Sequence, residues 1–319
     1  MAKKDTVTKS YMEDRNTFAD LVNFYVYNGD KVVKPENLHP LDTTATALPH
    51  GKGKSSKTVK TVQKHRDVLK YLSGMADENT AYVIYGLELQ SGIHYAMPVR
   101  NMLYDALQYT YQVDVVAAKH ASDKDKAESS DEYLSGFRKD DRIIPVVTIV
   151  VYFSPDEWDG PESVYDMFST RDPDILKYVP DYRMNLVSPS GMSDDDLDKF
   201  STELKQVFKY LKYSSDKEKL SQIVNEDEVY KHISRRTAVM INTVSGTKMK
   251  ISEGKDEVDM CKAIEDMRKE EREKGIEEGR NEGIIETLSS LVNDGLITLE
   301  TAASRAGMTV KEFEARLDS

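Results

Sequence analysis

The sequence predicts a mixed α/β core followed by a run of helices. Three observations predict it. Ala81 to Ser91 (AYVIYGLELQS) is an apolar strand that turns polar at its end; Ile143 to Phe153 (IIPVVTIVVYF) is a second apolar run, with a long helical pattern between the two; and the periodicity becomes helical from Ser193 onward.

Taken in order, Arg15 to Asn28 (RNTFADLVNFYVYN) has Phe18, Leu21, Val22, Tyr25 and Val26 at helical spacing, and Leu38 to Leu48 has the Thr-rich alternation of a first strand. His65 to Leu72 (HRDVLKYL) reads as a strand carrying Asp67, joined to the 81–90 strand by the turn formers SGMADENT in an antiparallel hairpin. A helix follows over about Tyr95 to Ala118, then a polar link, Lys119 to Asp131, expected to be disordered. Arg142 to Phe153 reads as a central strand buried on both faces, SPDEWDGPES as a loop anchored by Trp158, and Tyr182 to Val187 as a further strand.

Beyond it come helices over Asp194 to Tyr213, Asp216 to Val224 and Asp227 to Asn242, and one long helix over Asp256 to Ser290. That last helix carries Gly275, Gly279 and Gly283 at intervals of four, which fits either close approach of a second helix, hence self-association, or a solvated charged linker. Leu291 to Leu317 resembles a short helix-turn-helix unit, too acidic for reading DNA. The expected division is a core over 1–190, a helical cover over 191–250, and a tail over 251–319.

Composition bounds the rest. The single cysteine, Cys261, excludes an internal disulfide and a Cys-based zinc site. The opening MAKKDTVTKS lacks the apolar stretch of a signal peptide and no apolar run is long enough to span a bilayer, so the expected location is the cytoplasm. A net charge of −12 argues against a nucleic-acid partner, yet Ser252 to Glu286 alone carries −6 of it. His50 to Arg66, by contrast, has Lys52, Lys54, Lys57, Lys60, Lys64 and Arg66 and no acid, and leads straight into Asp67. That suits either a grip on a phosphate backbone or a solvated hairpin tip.

The chemistry centres on the 81–90 strand. Alternation puts Tyr82, Ile84, Gly86, Glu88 and Gln90 on one face and Ala81, Val83, Tyr85, Leu87 and Leu89 on the other. One face is apolar throughout, while the other turns polar, as when a strand runs from a core into a cleft. A carboxylate there needs a proton, a cation or hydrogen-bond donors. The hairpin can set Asp67 beside Glu88, a pair that could hold a hard cation through oxygen. An Asp followed by a distant Glu-x-Gln also describes two satisfied structural carboxylates. Arg100, on the following helix, can pair with Glu88 or bind a phosphate bidentately.

Asp67, GLELQS (86–91), HYAMPVRNMLYDALQY (94–109), LSGFRKDDRIIPVVTIVVYFSPDEWDGP (134–161) and VPDYRMNLVSP (179–189) together resemble the Rpn family of recombination-promoting nucleases and putative transposases, also called YhgA-like, within the PD-(D/E)XK nuclease superfamily. The resemblance spans roughly 14–286. It implies a core of helix, three-stranded meander, helix and strand, and a metal-dependent DNA endonuclease linked to recombination or mobile elements. Asp67, Glu88 and the Leu89 carbonyl would hold Mg²⁺, or else Mn²⁺ or Ca²⁺. Gln90 stands where the superfamily has Lys and would orient water; an amide carries no charge and cannot act as base. Asp20 falls where the superfamily often has an acid on its first helix, although a solvated or capping carboxylate on an amphipathic helix fits it at least as well. The alternative to an active nuclease is an inactive interaction module descended from one.

Overall fold

The computed structural model describes residues 2–41, 44–47, 62–65, 67–73, 81–124, 126–251 and 254–317. The chain begins with α1 (Ala2–Met12) and α2 (Arg15–Tyr27). Asp14 caps α2 by accepting from the Thr17 N–H at 3.0 Å, and Asn28 ends it in the left-handed region at φ 54°, where Asn is one of the few tolerated side chains. The pattern predicts α2 but not α1, in which Val7, Tyr11 and Met12 make no continuous apolar stripe.

The expected first strand is two. β1 (Leu38–Pro40) joins the main sheet, whereas β2 (Thr44–Ala47) pairs antiparallel with β3 (Val62–His65) in a separate ribbon. The main sheet runs in the order β1, β4 (Val68–Ser73), β5 (Ala81–Gln90), β6 (Val146–Tyr152), β7 (Asn185–Val187). β1, β4 and β5 are antiparallel, while β5, β6 and β7 are parallel. The parallel step from β5 to β6 needs a crossover, supplied by α3 (Met97–Asp123). This is the mixed sheet flanked by helices that the PD-(D/E)XK resemblance implies.

The expected disordered link is helical at both ends: α3 continues to Asp123 and α4 (Ser130–Ser135) follows. Tertiary contacts help to hold this region. His120 Nε2 meets the Asp141 carboxylate at 3.0 Å, and Gly136, at φ 69°, lies so close to α3 that an added Cβ would stand 3.0 Å from that of Ala117.

Alternation along β5 and β6 sorts the interior into two layers. Val83, Tyr85 and Leu87 join Ile149, Val151 and Phe153 in the main core, with Phe18, Leu21 and Val22 of α2. On the other face Ile84 packs with Leu69 and Val146, and Val150 with Met97 of α3. Between β6 and β7 lie short helices α5 (Val164–Met167) and α6 (Pro173–Leu176). Trp158 donates to the Gly160 carbonyl at 3.0 Å and meets Tyr152 edge-on, the packed loop anchor expected of it.

The helix predicted over 194–213 is broken into α7 (Asp194–Asp198) and α8 (Leu204–Tyr213). The reason is Asp20 of α2, whose buried carboxylate accepts from the N–H and hydroxyl of both Ser201 and Thr202 at 2.6 to 3.1 Å, holding those residues out of helix. Then come α9 (Lys217–Glu226), a 3-10 turn over Glu228–Lys231, β8 (Ile233–Ser234), α10 (Arg235–Ser245) and β9 (Glu257–Val258), which pairs with β8. Leu204, Val207, Phe208 and Leu211 of α8 enter the same core as the sheet.

The tail holds α11 (Met260–Asn293), α12 (Leu299–Ala306) and α13 (Val310–Leu317). Leu288, Ala302, Ala303 and Phe313 make a small core of their own. Around Gly275, Gly279 and Gly283 an added Cβ would meet nothing within 4 Å. Among the described residues no helix is long and apolar enough to cross a membrane.

Candidate active site

The β4–β5 register sets Val68 opposite Leu87, so Asp67, one residue earlier, comes level with Glu88, one residue later. Parity along each strand gives both carboxylates the face that carries Leu69 and Ile84, toward α3. Asp67 Oδ2 accepts the Leu89 N–H at 2.8 Å, which fixes the carboxylate at the end of β5. A strand residue presents its N–H and C=O to the same edge, so the Leu89 carbonyl also points toward Asp67, while the Gln90 carbonyl accepts from Phe153 N–H at 2.8 Å on the β6 side.

Glu88 is fully buried. Arg100 Nη2 stands 3.3 Å from Glu88 Oε2, its Nε donates to the Tyr104 hydroxyl at 2.9 Å, and its guanidinium lies 5.5 Å from the Tyr104 ring centroid. Burial opposes the Arg100 charge, but Glu88 and Tyr104 outweigh it and the guanidinium pKa is raised. Burial also pushes the Asp67 carboxyl above its ordinary value, against the Leu89 N–H, Arg100 and Lys9; Asp5 adds to the upward push.

A pocket of about 360 Å³ opens onto these groups, lined by Asp5 and Thr8 of α1, Asp67, Leu89, Gln90, the loop from Ser91 to His94, and Arg100. The structure thus brings together Asp67, Leu89, Gln90 and Arg100 at one opening, with Glu88 beneath Arg100. A larger pocket, about 780 Å³, runs along β7 past Trp158 and Lys199, and has none of the paired-strand carboxylates. Chemistry rather than size decides between them.

Asp20 is not part of this opening, since its carboxylate is committed to Ser201 and Thr202. That is the capping alternative, in buried form. Lys52, Lys54, Lys57, Lys60 and Arg66 lie outside the described residues, as does the side chain of Lys64 in β3. Two features went unread in the sequence. Asp5 belongs to α1, which has no periodic signal. The buried Asp105 of α3 accepts from Thr148 Oγ1 at 2.6 Å and from the Tyr182 hydroxyl at 2.5 Å, tying α3 to β6 and to the segment before β7 beneath the site. An acid inside the apolar pattern LYDALQY was the available signal.

The donors that the paired strands bring to the opening, the Asp67 and Glu88 carboxylates and the Leu89 carbonyl, are oxygen, which suits a hard ion, and His94 on the following loop is the nitrogen-bearing side chain of the lining that could meet a cation. Among the described residues no three His, Cys, Asp or Glu side chains are grouped so as to hold a metal. The fit is therefore to an ion content with two carboxylates, a carbonyl and otherwise water or phosphate, as Mg²⁺ commonly is.

The family model described as "Putative transposase, YhgA-like" matches residues 60–238, more than half of the chain. The chain belongs to the YhgA-like family. Comparison with curated proteins and with solved structures gives no match. In this YhgA-like protein the matched span takes in Asp67, Glu88, Gln90, Arg100 and the Asp105 cluster; it is narrower than the span of the resemblance, leaving out α2 with Asp20 as well as α11, and α1 with Asp5 lies outside both.

Proposed function

We propose that the protein is a metal-dependent DNA endonuclease of the YhgA-like, transposase-related kind. The observation that carries this reading is the level placement of Asp67 and Glu88 on adjacent antiparallel strands, facing one way, with Asp67 pinned by the Leu89 N–H. Asp67, Glu88 and the Leu89 carbonyl would hold the cation, which would supply positive charge against the phosphate and acidify water there.

The chain's own groups do the rest. The Leu89 N–H fixes Asp67 Oδ2, and in this reading Oδ1 is the oxygen offered to the cation. Gln90, at the mouth of the pocket, positions the attacking water or a phosphate oxygen through its amide. One P–O bond forms and the one to the leaving sugar oxygen breaks; the attacking water gives its proton to solvent, since the Gln90 amide cannot take it, and the leaving oxygen takes a proton from solvent to become the sugar hydroxyl. Asp5, across the same pocket, is the α1 acid that Asp20 is not. The basic run Lys52, Lys54, Lys57, Lys60, Lys64 and Arg66 grips the DNA backbone in this reading, and α11 is where two copies would associate.

Plasmid nicking tests the proposal. Wild-type protein nicks supercoiled DNA in Mg²⁺ and stops on chelation, whereas Asp67→Ala and Glu88→Ala lose about 100-fold or more, the order seen when a group stabilising the transition state is removed. Equal nicking by all three, or none by the wild type, removes the enzyme reading. The Glu88–Arg100 pair favours a second reading, in which the arginine is a permanent counter-ion and the protein an inactive nuclease-derived interaction module.

A further inference from the structure

The Glu88–Arg100 pair is lopsided. The Glu88 side chain is 0% exposed, while that of Arg100 is 32% exposed and lines the pocket together with Asp67 and Gln90. A buried carboxylate without a counter-charge is costly, so something positive must sit against Glu88 whenever no divalent cation does. Arg100 meets that need from the open side. A cation arriving through the same pocket would place a second positive charge against the same carboxylate, and the guanidinium, being the half-exposed partner, is the one able to turn away.

Where it turns is limited. Tyr104, one helical turn along α3, holds it by a 2.9 Å hydrogen bond from Nε and by its ring face. Since α3 is a continuous helix from Met97, the exchange is a change of rotamer and needs no backbone movement. The guanidinium has five N–H donors in a planar fork, and once off Glu88 it suits a phosphate, which it can engage through two of them.

The geometry points to Arg100 as an exchange residue: it balances Glu88 while the cation is absent, and turns to a DNA phosphate in the same pocket once a cation takes that carboxylate. This rests on the nuclease reading and adds a regulation to it. Cation and DNA then reinforce one another's binding, because each removes a cost of admitting the other, and the linkage is reciprocal. Cation binding to the free protein is weakened by the ion pair it must break, so the site assembles fully only on DNA.

The test is calorimetric titration of Ca²⁺, which takes the same oxygen ligands as Mg²⁺, into the full chain at pH 8, with and without a short DNA duplex. Without DNA, Arg100→Gln binds Ca²⁺ about tenfold more tightly than wild type, the order of a modest ion pair no longer broken. The duplex tightens Ca²⁺ binding to wild type by a clearly larger factor than to Arg100→Gln, whose remaining gain is only that of a phosphate meeting the cation directly. Arg100→Lys, with charge but no fork, competes for Glu88 yet gains less from the duplex. If Arg100→Gln does not fold, Arg100→Lys against wild type decides, and an equal gain from the duplex in both overturns the exchange. A duplex that leaves wild-type affinity unaltered, or a variant that binds no more tightly, overturns the exchange while leaving the nuclease reading intact. Absence of Ca²⁺ binding by wild type in both titrations removes the metal reading and the exchange together.

Discussion

Asp67 and Glu88 solve the problem of a charge near an apolar layer in different ways. Glu88 is wholly buried and keeps its charge company with Arg100, whereas Asp67 is half-buried and answers to a backbone N–H. Burial wins at Asp67, and its pKa is raised. A raised carboxyl pKa means that the ionised form costs stability in the folded state, a cost present above the folded pKa and gone as pH falls to the unfolded value. Asp67→Asn keeps an acceptor for the Leu89 N–H and removes the charge. It is therefore expected to raise the melting temperature by a few degrees near pH 8, to lose that advantage on acidification toward pH ~4, and to abolish nicking. Thermal melts across that range check it; a variant less stable than wild type at pH 8 contradicts the burial argument. In the proposed reading Gln90 bears on rate at this same scale, since an amide can orient water but does not ionise.

At the scale of elements, what holds the site is the fixing of three pieces: the β4–β5 hairpin, α3, and the helices behind the sheet. The hairpin was legible because alternation in AYVIYGLELQ sorted its residues correctly, with Val83, Tyr85 and Leu87 in one core and Ile84 in another. The crossover helix was legible by its periodicity, though not its reach to Asp123, since the His120–Asp141 contact that steadies its end is a tertiary one. The break between α7 and α8 was hidden for the same reason. Leu197, Phe200, Leu204, Val207, Phe208 and Leu211 keep a helical rhythm across it, and only Asp20, far away in sequence, shows why Ser201 and Thr202 leave the helix. Asp20→Ala removes the buried acceptor of four donors, two on the exposed Ser201 and two on the half-buried Thr202, and is expected to destabilise the protein by about 2 kcal/mol. Denaturant melts check this, with Ca²⁺ affinity of the folded fraction unchanged; a loss of cation affinity without loss of stability would return Asp20 to the active site.

For the whole molecule, the acidic character is uneven, with −6 of the −12 charges falling between Ser252 and Glu286. The overall sign is thus a poor guide to what the sheet end of the protein binds, because local rather than net charge sets the field at a cleft. The two carboxylates were legible from strand parity, and the helix that carries Arg100 from its periodicity. Asp5 was not, because α1 gives no periodic signal and the proximity of its carboxylate to Asp67 arises from folding alone. The Asp105–Thr148–Tyr182 cluster likewise joins three separate stretches, which no single window contains.

The most direct test is a crystal soaked in Mn²⁺ and measured at the manganese absorption edge. The account predicts one anomalous peak between Asp67 and Glu88, about 2.1 to 2.2 Å from an oxygen of each and close to the Leu89 carbonyl, with Arg100 turned off Glu88. No peak there, with the guanidinium still against Glu88, would contradict it.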